Sequence, residues 1–141
     1  LMHRAEVDMT GFFRNLALID VEAPAFALLH DAFYRAELLT QHASEFSAWL
    51  ARWANRVRSD DERAETRRAR MNAVNPRYVL RNYLAQQAID RAEQGDPQMI
   101  HELLDVLRNP YAEQSGRESF AARRPEWARH KAGCSMLSCS S

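Results

Sequence analysis

Apolar positions along this chain recur at the three-and-four spacing of an α-helix, and no segment alternates for long enough to read as a strand. The clearest stripe is Phe46, Trp49, Leu50, Trp53 and Val57, with Glu45, Arg52, Asn55 and Arg56 off it, which predicts a surface helix with one buried face. Its paired tryptophans read as core rather than as a ligand platform. Upstream, Phe12, Phe13, Leu16 and Ile19 predict a short helix that Thr10 would cap and Gly11 weakens. A second helix is expected to start near Pro24, where a missing N–H costs nothing, and to carry Phe26, Leu29 and Phe33 toward Leu38.

Downstream, Ser59 and Glu62 match a capping box and open a polar segment in which Arg63, Arg67 and Arg70 share one helical face. Asn75 before Pro76 predicts a helix start, and Gly95 predicts its stop after about Gln94. On that helix Val79, Leu80, Tyr83, Leu84 and Ala88 line one side and Tyr78, Ala85, Ile89 and Ala92 another, so it is expected to be sandwiched between neighbours, with Tyr83 in the core. Asp96 and Pro97 start the next helix, whose stripe is Met99, Ile100, Leu103, Leu104 and Leu107, and Pro110 ends it. These two helices are expected to run antiparallel across Gly95. Beyond Pro110 the chain is polar and irregular, with at most a short helical turn at Pro125, Glu126 and Trp127. The expected fold class is therefore all-α: an irregular multi-helix domain over residues 1–110 and an extended tail over residues 111–141.

Length and charge then narrow the classes. A chain of 141 residues is enough for one domain with a real core. With 19 basic and 19 acidic residues it has no global field drawing it to nucleic acid or an anionic membrane. Every basic residue except Lys131 is arginine, a bias read as a GC-rich, bacterial trait. No run of about 18 apolar residues and no leader pattern occurs, so a soluble, cytoplasmic protein is expected. The start at Leu1 suggests an internal cut.

Candidate chemistry is sparse. Four scattered glycines leave no phosphate loop, and the five histidines form no local signature with a nucleophile and an acid. His101 reads as structural. His130, Cys134 and Cys139 place three soft donors within ten residues, but the spacing is irregular and a fourth ligand is missing, so no metal site is assigned. The arginine face reads as solvated or paired rather than as a grip on phosphates.

The run Met71 to Gln87, MNAVNPRYVLRNYLAQQ, strongly resembles a signature near the C-terminus of the selenoprotein O family, also called YdiU. DMTGFFRNL and DAFY upstream, and the GD turn, LLDVLRNPYAEQ, RPEWA and the closing CSS downstream, are similar to family segments and stand in the family's order. The resemblance covers nearly the whole chain. It implies that the intact protein has a protein-kinase-like fold and transfers AMP from ATP to protein hydroxyls, with magnesium or manganese assisting. The family's lysine, acidic metal ligands and catalytic aspartate all precede the matched region, so no catalytic, cofactor-binding or metal-binding residue is expected here.

The resemblance further implies that Cys139, followed by Ser140 and Ser141, stands where the family has a terminal cysteine or selenocysteine able to form a disulfide with the activation loop. Expected partners are the upstream kinase-like lobes and the protein substrates of the intact enzyme, with no nucleic acid and no membrane. A stand-alone helical interaction module is the alternative.

Overall fold

The computed structural model describes residues 1–131, 133 and 134. Among them the regular structure is five α-helices and three short 3-10 turns, with a single isolated antiparallel bridge, Val7 to Phe33, and no β-strand. The fold is all-α, as expected. Its contacts divide into two compact units, Leu1–Asn75 and Pro76–Ser141. The boundary read from the sequence at residue 110 marks a loss of regularity; it falls inside the second unit.

In the first unit, α1 (Met9–Leu16) is capped by Asp8, whose carboxylate accepts the Gly11 N–H at 3.0 Å. The cap is thus Asp8 and not Thr10. The stretch from Pro24 forms only a 3-10 turn, Phe26–Ala32. α2 (Ala36–Arg58) carries the expected stripe, burying Phe46 and Leu50 and half-burying Trp49 and Trp53. Phe46 is the hub: its ring lies 4.9 Å from that of Phe33, 5.7 Å from Phe26 and 5.8 Å from Phe12. Ring pairs at these separations add directional attraction to area burial.

The capping box at Ser59 and Glu62 does not form. Ser59 instead ends α2, its hydroxyl donating to the Arg56 carbonyl at 2.6 Å, and α3 (Ala64–Val74) begins without a side-chain cap. Glu62 is drawn away by Arg70, a stronger, charged partner. The far end of α3 is closed from another helix: buried Arg14 of α1 donates to the carbonyls of Asn72 at 3.4 Å and Asn75 at 3.2 Å. A cation there satisfies orphan carbonyls and faces the negative end of the helix dipole.

The second unit opens with an extended stretch where the cap-and-proline signal predicts a helix. The N–H groups of Arg77 and Tyr78 both donate to the Pro110 carbonyl, at 2.7 and 3.1 Å, which commits these residues to a tertiary pairing before a helical turn can take them. α4 therefore starts at Asn82 and runs to Glu93. Asn75 serves the preceding helix, donating from Nδ2 to the Met71 carbonyl at 2.8 Å. Gly95, at φ +88°, makes the stop that the sequence predicts, and α5 (Gln98–Arg108) packs back on α4.

The core between them holds Tyr83, Leu84, Ala88, Met99, Leu103 and Val106. α5 is the one helix of this unit packed on α4 among the described residues, and the irregular segment after it adds the remaining contacts. Leu80 and Ile89 stay about half exposed, as do Ile100 and Leu104 on α5, because the described part of this unit supplies one neighbouring helix and not two. Residues beyond Pro110 close the unit irregularly, with 3-10 turns Glu118–Ala121 and Glu126–Arg129 inserting Phe120 and Ala128 into the core.

Candidate functional site

The run Met71–Gln87 carries the family resemblance in the sequence, and the structure shows what its polar groups do. It is not one helix: it holds the end of α3, the extended stretch and the first half of α4. Tyr78 and Arg81 are both 1 % exposed. The Tyr78 hydroxyl, at the edge of the core, donates to the Gln114 carbonyl at 3.4 Å and accepts the Gln114 N–H at 3.3 Å. Gln114 in turn donates from Nε2 to the carbonyls of Val106 and Asn109, each at 3.0 Å, closing the end of α5. Tyr83 buries its ring and donates from its hydroxyl to the Ala122 carbonyl at 2.9 Å. The tyrosines thus satisfy the backbone of an irregular segment that has no ladder of its own.

Between α4, α5 and the turn at Glu118–Ala121 lies an open pocket of about 490 Å³, lined by Tyr83, Gln87, Arg91, Met99, Arg117 and Phe120 among others. Arg117 sits 3.8 Å from Glu102 and 5.9 Å from the centre of the Phe120 ring, so its charge is engaged by the walls. The pocket has no nucleophile paired with a base and no phosphate cradle.

The arginine face of α3 is also engaged. Arg63 pairs with Glu65 at 3.0 Å, and Arg70 grips Glu62 through two hydrogen bonds of 3.0 and 2.6 Å. That grip holds the Glu62 carboxyl below its ordinary range. Arg67 is buried, donating to the Ile19 carbonyl at 3.0 Å. All three are thus paired, two with carboxylates and one with a backbone carbonyl. A pocket of about 190 Å³ beside them is lined by Arg58, Arg63 and Arg67 and by Glu22, Asp61 and Glu62, so neither sign of charge prevails.

Cys134 is a free thiol, fully buried in the core of the second unit, while His130 and His101 are exposed. Cys139 lies outside the described residues. Among the described residues no three His, Cys, Asp or Glu side chains come together as a metal-binding group. Also among them, no helix is long and apolar enough to cross a membrane.

Sequence reading missed one constellation. Asp90 on α4 accepts from Gln86 at 2.7 Å and pairs with Lys131, which together hold its carboxyl below the usual range, the Lys131 bond contributing most. The same bond raises the Lys131 ammonium. The partners are 41 residues apart, so no local motif announces them.

The protein nucleotidyltransferase YdiU of Tolumonas auensis is 62% identical to this chain over all 141 residues. That of Aromatoleum aromaticum is 61% identical over the same length, and that of an Azoarcus species 61% identical over 140 residues. The chain spans 27% of the length of each of these relatives. The family model described as protein adenylyltransferase SelO matches residues 1–108, which takes in α1 to α5 and the whole run with its buried tyrosines and arginine. A match over that much of the chain turns the resemblance into membership: the chain belongs to the SelO family of protein adenylyltransferases.

Proposed function

We propose that this chain is the C-terminal helical part of an enzyme that transfers AMP from ATP to serine, threonine or tyrosine hydroxyls of proteins, and that its own task is to scaffold the catalytic lobes. The carrying observation is the identity of 62% over the full chain to a protein nucleotidyltransferase more than three times as long. On this reading ATP and a magnesium or manganese ion are held by the part of the enzyme outside this chain, as the family resemblance implies.

The hydrogen bonds of the buried residues Tyr78, Tyr83 and Arg67 suit a scaffold, since a support must keep one geometry while chemistry proceeds elsewhere. Cys139 is the proposed redox-regulatory residue, its partner being a cysteine of the upstream lobe.

The test uses the full-length protein containing this chain, and the chain alone, each with labelled ATP, magnesium or manganese and a protein acceptor. Label is expected on the acceptor with the full-length protein and none with the chain. Label from the chain alone, or none from the full-length protein, overturns the proposal. For Cys139, the oxidised full-length protein is digested without reductant; a crosslink from Cys139 to an upstream cysteine is expected, and a sole bridge to Cys134 refutes it.

A further inference from the structure

The pocket between α4, α5 and the turn Glu118–Ala121 is built in two layers. Its floor is apolar: Leu84, Met99, Phe120 and the ring of Tyr83, all of them buried. Its rim is polar, with Gln87 and Arg91 from α4, Glu102 from α5, and Arg117 and Ser119 from the irregular segment. Gln87 and Arg91 stand one helical turn apart on one face of α4, so they border the opening together.

The charges on the rim do not cancel. The Arg91 guanidinium has no partner among the described residues. Arg117 meets Glu102 at 3.8 Å, beyond hydrogen-bonding distance, and lies over the Phe120 ring at 5.9 Å from its centre. Two guanidinium groups against one carboxylate leave positive charge in excess above an apolar floor. A pocket of about 490 Å³ with an apolar base and a few polar groups has the make-up of a small-molecule site.

We propose that this pocket binds a small organic acid, its apolar body resting on Leu84, Met99 and Phe120 and its single carboxylate held by Arg91 and Arg117. A guanidinium matches a planar carboxylate through paired N–H bonds of about 2.7–2.9 Å. A ligand oxygen at that range draws Arg117 from its looser contact with Glu102. Glu102 also sets the charge of the head group, because a second negative charge there faces its carboxylate; a monoanion suits the rim better than a phosphate monoester. Gln87 and Ser119 add neutral donors beside the two arginines. The site binds without performing chemistry, and it is independent of where AMP is transferred.

The experiment uses the full-length protein containing this chain, carrying ¹³C at the methionine methyl groups, with 3-phenylpropionate as the probe. Titration is expected to shift the Met99 methyl signal, assigned through Met99→Leu, until it saturates. 3-Phenylpropionamide, the same body without the charge, is expected to bind about fivefold more weakly. Arg117→Gln should weaken the acid about fivefold, whereas Glu102→Gln, which frees Arg117 and removes the opposing charge, should tighten it about threefold. A Met99 methyl that does not move, equal affinity for acid and amide, or weaker binding in Glu102→Gln overturns the proposal. Phenyl phosphate binding more tightly than the acid overturns the choice of a monoanion. A capped Phe-Asp peptide that outcompetes the acid assigns the site to a protein side chain and overturns the small-molecule reading. Should Arg117→Gln lose its helical circular dichroism, the ratio of acid to amide and the sign of the Glu102→Gln effect decide.

Discussion

In Leu1–Asn75 the irregular stretch between α1 and α2 is held by rings, with Phe26 and Phe33 packed on Phe46 of α2. In Pro76–Ser141 the irregular stretch after α5 is held by polar atoms carried on rings, the hydroxyls of Tyr78 and Tyr83 on the backbone at Gln114 and Ala122. The difference follows from what each loop can offer. The first supplies large apolar side chains, so area burial and ring geometry suffice. The second sends Phe120, Ala121, Ala128 and Cys134 into the core and sets Trp127 edge-on to Tyr83, and its backbone carbonyls need donors that reach from the core. One unit is fastened by volume, the other by direction.

That contrast predicts where each unit breaks. Removing the hub with Phe46→Ala should cost about 3–5 kcal/mol and loosen the first unit as a whole. Peptide-resolved hydrogen exchange would show protection lost across α1, α2 and the Phe26–Ala32 turn; loss confined to α2 would deny Phe46 its hub role. Arg67→Met tests one of the directional ties that the ring-packed unit also has, Arg14 making another, and should cost about 1–3 kcal/mol by leaving the Ile19 carbonyl unsatisfied. A denaturation midpoint equal to that of the parent would mean that water or a neighbour replaces it.

In the other unit Tyr83→Phe keeps the ring and deletes the hydroxyl, so it should cost about 1 kcal/mol and raise exchange near Ala122 while α4 stays protected. A drop as large as that of Phe46→Ala would show that the ring matters more than its oxygen. The smallest expected effect is that of acid. Glu62 and Asp90 have carboxyls lowered by Arg70 and by Lys131, one pair in each unit. A carboxyl lowered in the folded state contributes stability that is present above its unfolded pKa and lost as pH falls through the folded one. Acidification below about pH 4 should therefore loosen both pairs, read as faster exchange around each. No change on acidification would show these pairs to be energetically silent.

The legible parts of the fold were those whose cause is local. The stripe of α2, the stop at Gly95 and the core place of Tyr83 follow from helical period and from glycine's access to positive φ, both present in the sequence itself. The start of α4 was not legible, because the Pro110 carbonyl, more than thirty residues on, claims the N–H groups of Arg77 and Tyr78. For the same reason the spacing of Arg63, Arg67 and Arg70 showed a shared face while concealing that Arg67 reaches Ile19, 48 residues away. The candidate site was legible as a distinctive run of residues and not as a set of roles. Tyrosine and arginine serve structure and chemistry equally well, and only their partners tell the two apart.

The double hydrogen bond at Pro110 also bears on the order of events during folding. By tying residues 77 and 78 to 110 it turns the α4–α5 hairpin into a closed loop. Zipping two helices outward from Gly95 closes only short stretches of chain at each step, whereas Gln114, Ala122 and Lys131 lie 36 to 41 residues from their anchors. The hairpin is thus the natural nucleus of its unit, and the irregular segment is threaded onto a surface that already exists. Its tyrosines and Asp90 are docking points set before the chain that docks on them arrives.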